Sequence, residues 1–252
     1  MKAVILAAGR GKRMNELTQY NNKCLIEIEE ESVLYRNIKH ISQLEAIDEI
    51  IIVVGYLAKE VMLTIGNECN GKRISYCIQR EQRGLINSLE AAKAALKDTS
   101  FFLALGDEVI IENNYLKALE DFNEESCKAM IGVVTTNNLD QVKKTYSIRF
   151  DNQGNVDELV EKPTVPFNNI VGTGNIFFAK GTIDLIDETP INEIRGEKEL
   201  VDFLKIIMER SGRVKTFPVG TDYINLNTKE DYLYAVEQIK KGKNVNNSKI
   251  PQ

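Results

Sequence analysis

The chain has no tryptophan, a single histidine (His40) and four cysteines in 252 residues. Each scarcity argues against a class of chemistry. Cys24, Cys69, Cys77 and Cys127 include no CxxC pair, so with one histidine a zinc site is disfavoured, as is a Cys-His or Ser-His catalytic pair. The cysteines read instead as buried, reduced thiols of a cytoplasmic protein. The N-terminal apolar run "AVILAAG" is too short for a signal-peptide core or a membrane span. A formal net charge of −5 argues against a nucleic-acid partner. No low-complexity run and no internal repeat is present.

What is present is strand-loop-helix alternation. "KAVILA" is a continuous apolar run that suits a strand buried on both faces. Leu34, Ile38, Ile41 and Leu44 recur at helical spacing. "EIIIVVG" (Glu49–Gly55), "RISYCIQ" (Arg73–Gln79) and "SFFLALGD" (Ser100–Asp107) read as further buried strands. Helices are expected from about Leu57, from Gly84 through Leu85, Leu89, Ala92 and Leu96, and around Tyr115–Phe122. This order predicts an α/β fold with a doubly wound, mostly parallel sheet. Ligands of such sheets bind beyond the carboxyl ends of the strands, which brings Gly9–Arg13, Gln79–Gly84 and Asp107 to one edge.

The second half differs. "CKAMIGVVTT", "YSIRF", "VDELVEK" and "VGTGNIFFA" read as strands, with a turn at Asp151–Gly154. A helix is expected over about Lys198–Arg210, then the strand "VKTFPV", then a last helix from Thr228 to about Lys240. The whole reads as one domain over 1–240, a nucleotide-binding half to about 125 and a β-rich acceptor-binding extension after it. Residues 241–252 read as a flexible tail.

The loop after the first strand fits neither common phosphate-binding pattern. Gly9-Arg10-Gly11-Lys12-Arg13-Met14 puts methionine at the third glycine of GxGxxG, which disfavours a nicotinamide-binding oxidoreductase. Gly11-Lys12 is followed by Arg13 where a P-loop needs Ser or Thr. What remains is a glycine turn carrying Arg10, Lys12, Arg13 and, farther on, Lys23. Such a loop can bring backbone N–H groups to phosphate oxygens and cations to the charge of a phosphoryl or nucleotidyl transfer.

The full run, Gly9 to Met14 followed by Leu17-Thr18 and Asn22-Lys23, resembles the GxGTRLxPLTxxxPK motif of the sugar-1-phosphate nucleotidylyltransferases. Asn22 replaces the usual proline and Lys12 the usual threonine. Four more segments follow in the family's order: "QREQRGL", "LGD", "VEKP" and "INLNTKED", with "TGNIFF" where the family lines its sugar pocket. The resemblance implies a Rossmann-like nucleotidyltransferase fold and transfer of NMP from an NTP to a sugar 1-phosphate, with pyrophosphate leaving. It implies Arg13, Lys23 and Lys162 as catalytic residues, and Leu6, Ala8, Gly9, Gly11, Gln79, Gly84 and Asp107 around the nucleotide. Glu161, Lys162, Thr173 and Asn175 would meet the acceptor. Asp107 and Asn225 would hold magnesium, Asn225 standing where many members have aspartate and the acetylglucosamine-1-phosphate uridylyltransferases have asparagine.

Gln79 suits uracil, thymine or cytosine, so a pyrimidine NTP is the expected donor. A cytidylyltransferase acting on phosphocholine or a phosphonate, and a catalytically silent nucleotide sensor, are the competing readings. No length is left for the hexapeptide-repeat β-helix that larger relatives append, so a second acyltransferase activity is not expected. The oligomeric state, a homo-oligomer included, is open.

Overall fold

The computed structural model describes residues 1–11, 21–193 and 195–247. In chain order its first half contains β1 (Lys2–Ala7), β2 (Glu27–Ile28), β3 (Glu31–Ser32), α1 (Val33–Ser42), β4 (Glu49–Val54), α2 (Ala58–Ile65), β5 (Glu68–Cys69), β6 (Lys72–Ile78), α3 (Leu85–Leu96), β7 (Phe101–Leu105), β8 (Glu108–Ile111) and α4 (Tyr115–Asp121). The second half adds β9 (Ala129–Thr135), α5 (Leu139–Lys144), β10 (Tyr146–Phe150), β11 (Val156–Glu161), β12 (Ile170–Phe178), α6 (Leu200–Ser211), β13 (Val214–Pro218), β14 (Asp222–Asn225) and α7 (Lys229–Asn247).

An eight-stranded sheet in the order β13-β9-β12-β7-β1-β4-β6-β5 runs through the molecule. β1 lies at its centre, parallel to β4 and to β7. Alternate β1 side chains serve opposite faces. Ala3, Ile5 and Ala7 join Leu34 and Ile38 of α1 in one core, while Val4 and Leu6 join Leu89 of α3 and Phe203 of α6 in the other. Helices on both faces explain why the central strands read as unbroken apolar runs.

The sheet departs from parallel where the second half enters. β12 is antiparallel to β7 on one side and to β9 on the other. Phenylalanine pairs fasten that junction: Phe101 stacks on Phe178 at 4.8 Å, and Phe102 lies 4.5 Å from Phe177. Two small ribbons complete the site: β10 with β11, and β14 with β8.

Three features differ from the sequence expectation. β2, β3, β5, β8 and α5 are short elements in stretches for which no element is expected. A 3-10 segment, Thr182–Glu188, follows β12. α7 runs on to Asn247, seven residues into the stretch read as a flexible tail. No proline interrupts that stretch before Pro251, and Lys241 pairs with Glu237 at 2.7 Å one turn back. Among the described residues, no helix is long and apolar enough to cross a membrane.

Candidate active site

The carboxyl ends of β1, β6 and β7 open on a cavity of about 640 Å³, which the second half walls on its far side. From the first half, Leu6, Ala8, Gly9, Gly11, Lys23, Gln79, Gly84 and Asp107 line it; from the second, Glu161, Lys162, Thr173 and Asn225. The motifs therefore meet at one place. Arg13, with Lys12, Met14, Leu17 and Thr18, lies outside the described residues.

Asn22 explains how the loop tolerates losing its proline. Its side chain is fully buried and makes three bonds: Nδ2 donates to Ala7 O (3.2 Å) and Tyr56 O (2.9 Å), and Oδ1 accepts from Cys24 N (2.9 Å). It ties the returning chain to the ends of β1 and β4 and caps the 3-10 turn Lys23–Leu25. Lys23 is thereby aimed inward. Gly11, at φ 62°, admits it: a Cβ on Gly11 would stand 2.8 Å from Lys23 Cβ.

The Lys23 side chain is 9% exposed, and its Nζ lies 2.5 Å from Asp107 Oδ2 and 3.1 Å from Asn227 Oδ1. The antiparallel register of β14 on β8 sets Asn225 opposite Glu108, and Leu226 N donates to Asp107 O at 3.0 Å. Asp107 and Asn225, from opposite halves of the chain, are thus neighbours. Both offer hard oxygens, and a cationic ammonium already rests on the Asp107 carboxylate. That donor set suits magnesium, which takes one or two protein oxygens and completes its shell with water and phosphate. Among the described residues no cluster of three or more His, Cys, Asp or Glu forms a self-sufficient metal cage.

Gln79 is buried, and its amide is fixed by Ser88 Oγ donating to Oε1 (2.7 Å) and by Nε2 donating to Asn87 Oδ1 (3.0 Å) and Gly84 O (3.3 Å). Gly84 opens α3 at φ 93°, and a Cβ there would stand 2.8 Å from Glu197 Oε2. Gln82 ties this loop to the first one by donating to Ala8 O at 3.0 Å.

On the far wall, Glu161 ends β11 and Lys162 follows in the left-handed region at φ 44°, its N–H donating to Thr145 O at 2.7 Å. Glu161 Oε1 lies 3.2 Å from Arg195 Nη1 and 3.5 Å from Lys162 Nζ; Arg195 also reaches Glu199 at 2.8 Å. Burial pushes the Glu161 carboxyl above its ordinary pKa, with Lys162 pulling against it and Glu199 adding to it.

One acceptor residue sits differently from expectation. Asn175 does not line the cavity: it is buried on β12, where Nδ2 donates to Glu108 Oε2 (2.7 Å) and Oδ1 accepts from Tyr115 OH (2.8 Å). Thr173 lines it, with its hydroxyl donating to Gly132 O at 2.8 Å. Asn175 is held in its buried position by Glu108, a buried side chain at the cavity's edge that also receives Tyr223 OH (2.9 Å) and Gly174 N (3.2 Å). Burial, then the Asp107 charge, pushes its pKa up to about 8. Glu108, Arg195, Glu199 and Asn227 escape a reading of the sequence because each looks like a surface polar residue. Asn227 alone carried a signal, two positions after Asn225 in "INLN".

Residues 2–241 match the family described as Nucleotidyl transferase. The UTP–glucose-1-phosphate uridylyltransferase AglF of Haloferax volcanii is 30% identical over 214 residues, covering 84% of this chain and 85% of that protein. The low-salt glycan biosynthesis nucleotidyltransferase Agl11 of the same organism is 27% identical over 248 residues, covering 97% and 68%. In fold, the chain is similar to a UDP-glucose pyrophosphorylase complexed with UDP-glucose, with a TM-score of 0.81 at 19% identity over 95% and 98% of the two chains. On a match that runs from residue 2 to residue 241, the chain belongs to the nucleotidyl transferase family, among the sugar-1-phosphate nucleotidylyltransferases that its motifs resemble.

Proposed function

We propose that the protein transfers a nucleotidyl group from a pyrimidine NTP to a sugar 1-phosphate, giving an NDP-sugar and pyrophosphate. The observation that carries this is the opposition of charges across one cavity. Lys23 and Asp107 stand on the nucleotide wall, and Glu161 with Lys162 on the facing wall.

An acceptor phosphate oxygen attacks the α-phosphorus in line, the bond from that phosphorus to the bridging oxygen breaks, and pyrophosphate leaves. The attacking phosphate is already an anion, so no general base is required, and catalysis rests on positioning and charge stabilisation. Lys23 draws charge from the α-phosphate. Lys162 anchors the acceptor phosphate, and Glu161, oriented by Arg195, accepts from sugar hydroxyls. Arg13 is assigned to the leaving pyrophosphate by its place in the loop motif. Gln79 and Gly84 face the base. Magnesium, when bound, neutralises phosphate charge; Asp107 and Asn225 are the residues that would hold it.

The relative AglF is named for UTP and glucose 1-phosphate, which makes that pair the first to try. The test is pyrophosphate release in a matrix of four NTPs against hexose 1-phosphates, acetylhexosamine 1-phosphates and phosphocholine. Release is expected with a pyrimidine NTP and a sugar phosphate. Release with phosphocholine in its place, or with no pair at all, overturns the reading.

A further inference from the structure

We propose that Asn227 is a positioning residue of the transfer site, which seats the Lys23 ammonium against Asp107 and aims the Asn225 side chain. The inference rests on the transferase reading of Lys23 and Asn225.

The ordinary role for an asparagine just before a helix is to cap it. Here that role is taken by others. Asp231 Oδ2 accepts from Asn227 N (2.9 Å) and Thr228 N (2.8 Å), and Thr228 Oγ1 accepts from Asp231 N (3.2 Å). This reciprocal arrangement satisfies the first turn of α7 through residues 228 and 231. The Asn227 side chain is left over, and it points into the cavity.

There it joins otherwise separate parts. Its Oδ1 accepts from Lys23 Nζ at 3.1 Å, and its Nδ2 donates to Asn225 Oδ1 at 2.9 Å. An amide is suited to this place because one end accepts from an ammonium while the other orients a neighbouring oxygen. Lys23 comes from the opening loop and Asn225 from β14, 202 positions later by subtraction. Asn227 thus holds the lysine on the metal-binding side of the cavity by a bond that no backbone element supplies. Lacking it, the long lysine chain has Asp107 as its one remaining partner among the hydrogen bonds described for Nζ.

The experiment compares Asn227→Ala and Asn227→Asp with the wild type. The first readout needs no turnover: the rate at which acetic anhydride labels Lys23, measured by peptide mass spectrometry relative to exposed Lys97. Asn227→Ala should raise the Lys23 rate several-fold, and Asn227→Asp, which keeps an acceptor, should leave it near wild type. In steady state, Asn227→Ala should lower kcat about tenfold, the size of one lost charge-assisted bond, with both KM values within about threefold. Asn227→Asp should recover part of that kcat, because it restores an acceptor for Lys23 but cannot donate to Asn225 Oδ1. A wild-type labelling rate in Asn227→Ala, or identical behaviour of the two variants, overturns the proposal. Should Asn227→Ala fail to fold, Asn227→Gly removes the same side-chain bonds and is judged by the same outcomes. Failure of the transferase reading is seen separately, as a wild-type protein that releases no pyrophosphate.

Discussion

Lys23 carries its charge where water screens it little, and its partner Asp107 is 25% exposed. A lysine pressed onto the carboxylate that would hold a cation must compete with that cation. Lys23→Met should therefore bind manganese more tightly in the absence of nucleotide, read by paramagnetic titration of the free protein. The same variant should lose about 10²–10³ in kcat, the usual cost of removing a preorganised charge. An unchanged manganese affinity would show that lysine and metal do not share the seat. Lys162 makes a different prediction. Its side chain is 47% exposed and its described ion-pair partner is Glu161 at 3.5 Å, a loose contact. Lys162→Ala should raise the acceptor KM by roughly 10–100-fold, as a lost charge-assisted phosphate contact worth about 1.5–3 kcal/mol implies. The NTP KM should stay within a few-fold; equal changes in both would place Lys162 elsewhere in the cycle.

The elements of the fold divide by how clearly the sequence announces them. β1, β4 and β7 are legible because a strand buried on both faces has no polar positions to obscure it. β8 was not legible. It begins on Glu108, a buried carboxylate whose partners lie on β12 and β14, far along the chain. α5 is six residues long and lies beyond what helical periodicity can reveal. At the site, Lys23 and the glycine turn before it stand out in the sequence, whereas spacing along β12 cannot say which face of a bulged strand meets the cavity, and Asn175 lies off it. The start of α3 offers an element-scale test. Gly84 has φ 93°, a backbone conformation that L side chains rarely adopt, and a Cβ there would stand 2.8 Å from Glu197 Oε2. Gly84→Ala should cost about 1–3 kcal/mol in stability through backbone strain, measured by urea unfolding. It should weaken nucleotide binding more than acceptor binding, because the loop it distorts carries Gln79. A variant of wild-type stability would mean that the loop relaxes around the methyl group.

At the scale of the whole molecule, the question is whether the two halves are one folding unit. The sheet supplies the argument. β12 belongs to the second half by sequence, yet it lies between β7 of the first half and β9 of the second. Removing the second half would leave the β7 edge unpaired and strip Phe101 and Phe102 of the phenylalanines they pack on. An open apolar edge of that kind invites aggregation in place of folding. Lys23 and Asn227, and Glu108 and Tyr223, further bond the first half to the last strand region. We therefore expect urea to unfold the protein in one transition, with far-ultraviolet circular dichroism and tyrosine fluorescence coinciding; the chain has no tryptophan to report instead. A fragment ending at residue 125 should fail to give a soluble, cooperatively unfolding species. Two separated transitions, or a stable fragment, would make the halves independent domains. The cavity between them would then be an interface able to open. One transition makes it a cleft whose two walls, carrying Lys23 and Lys162, are held by one shared sheet and are lost together on unfolding.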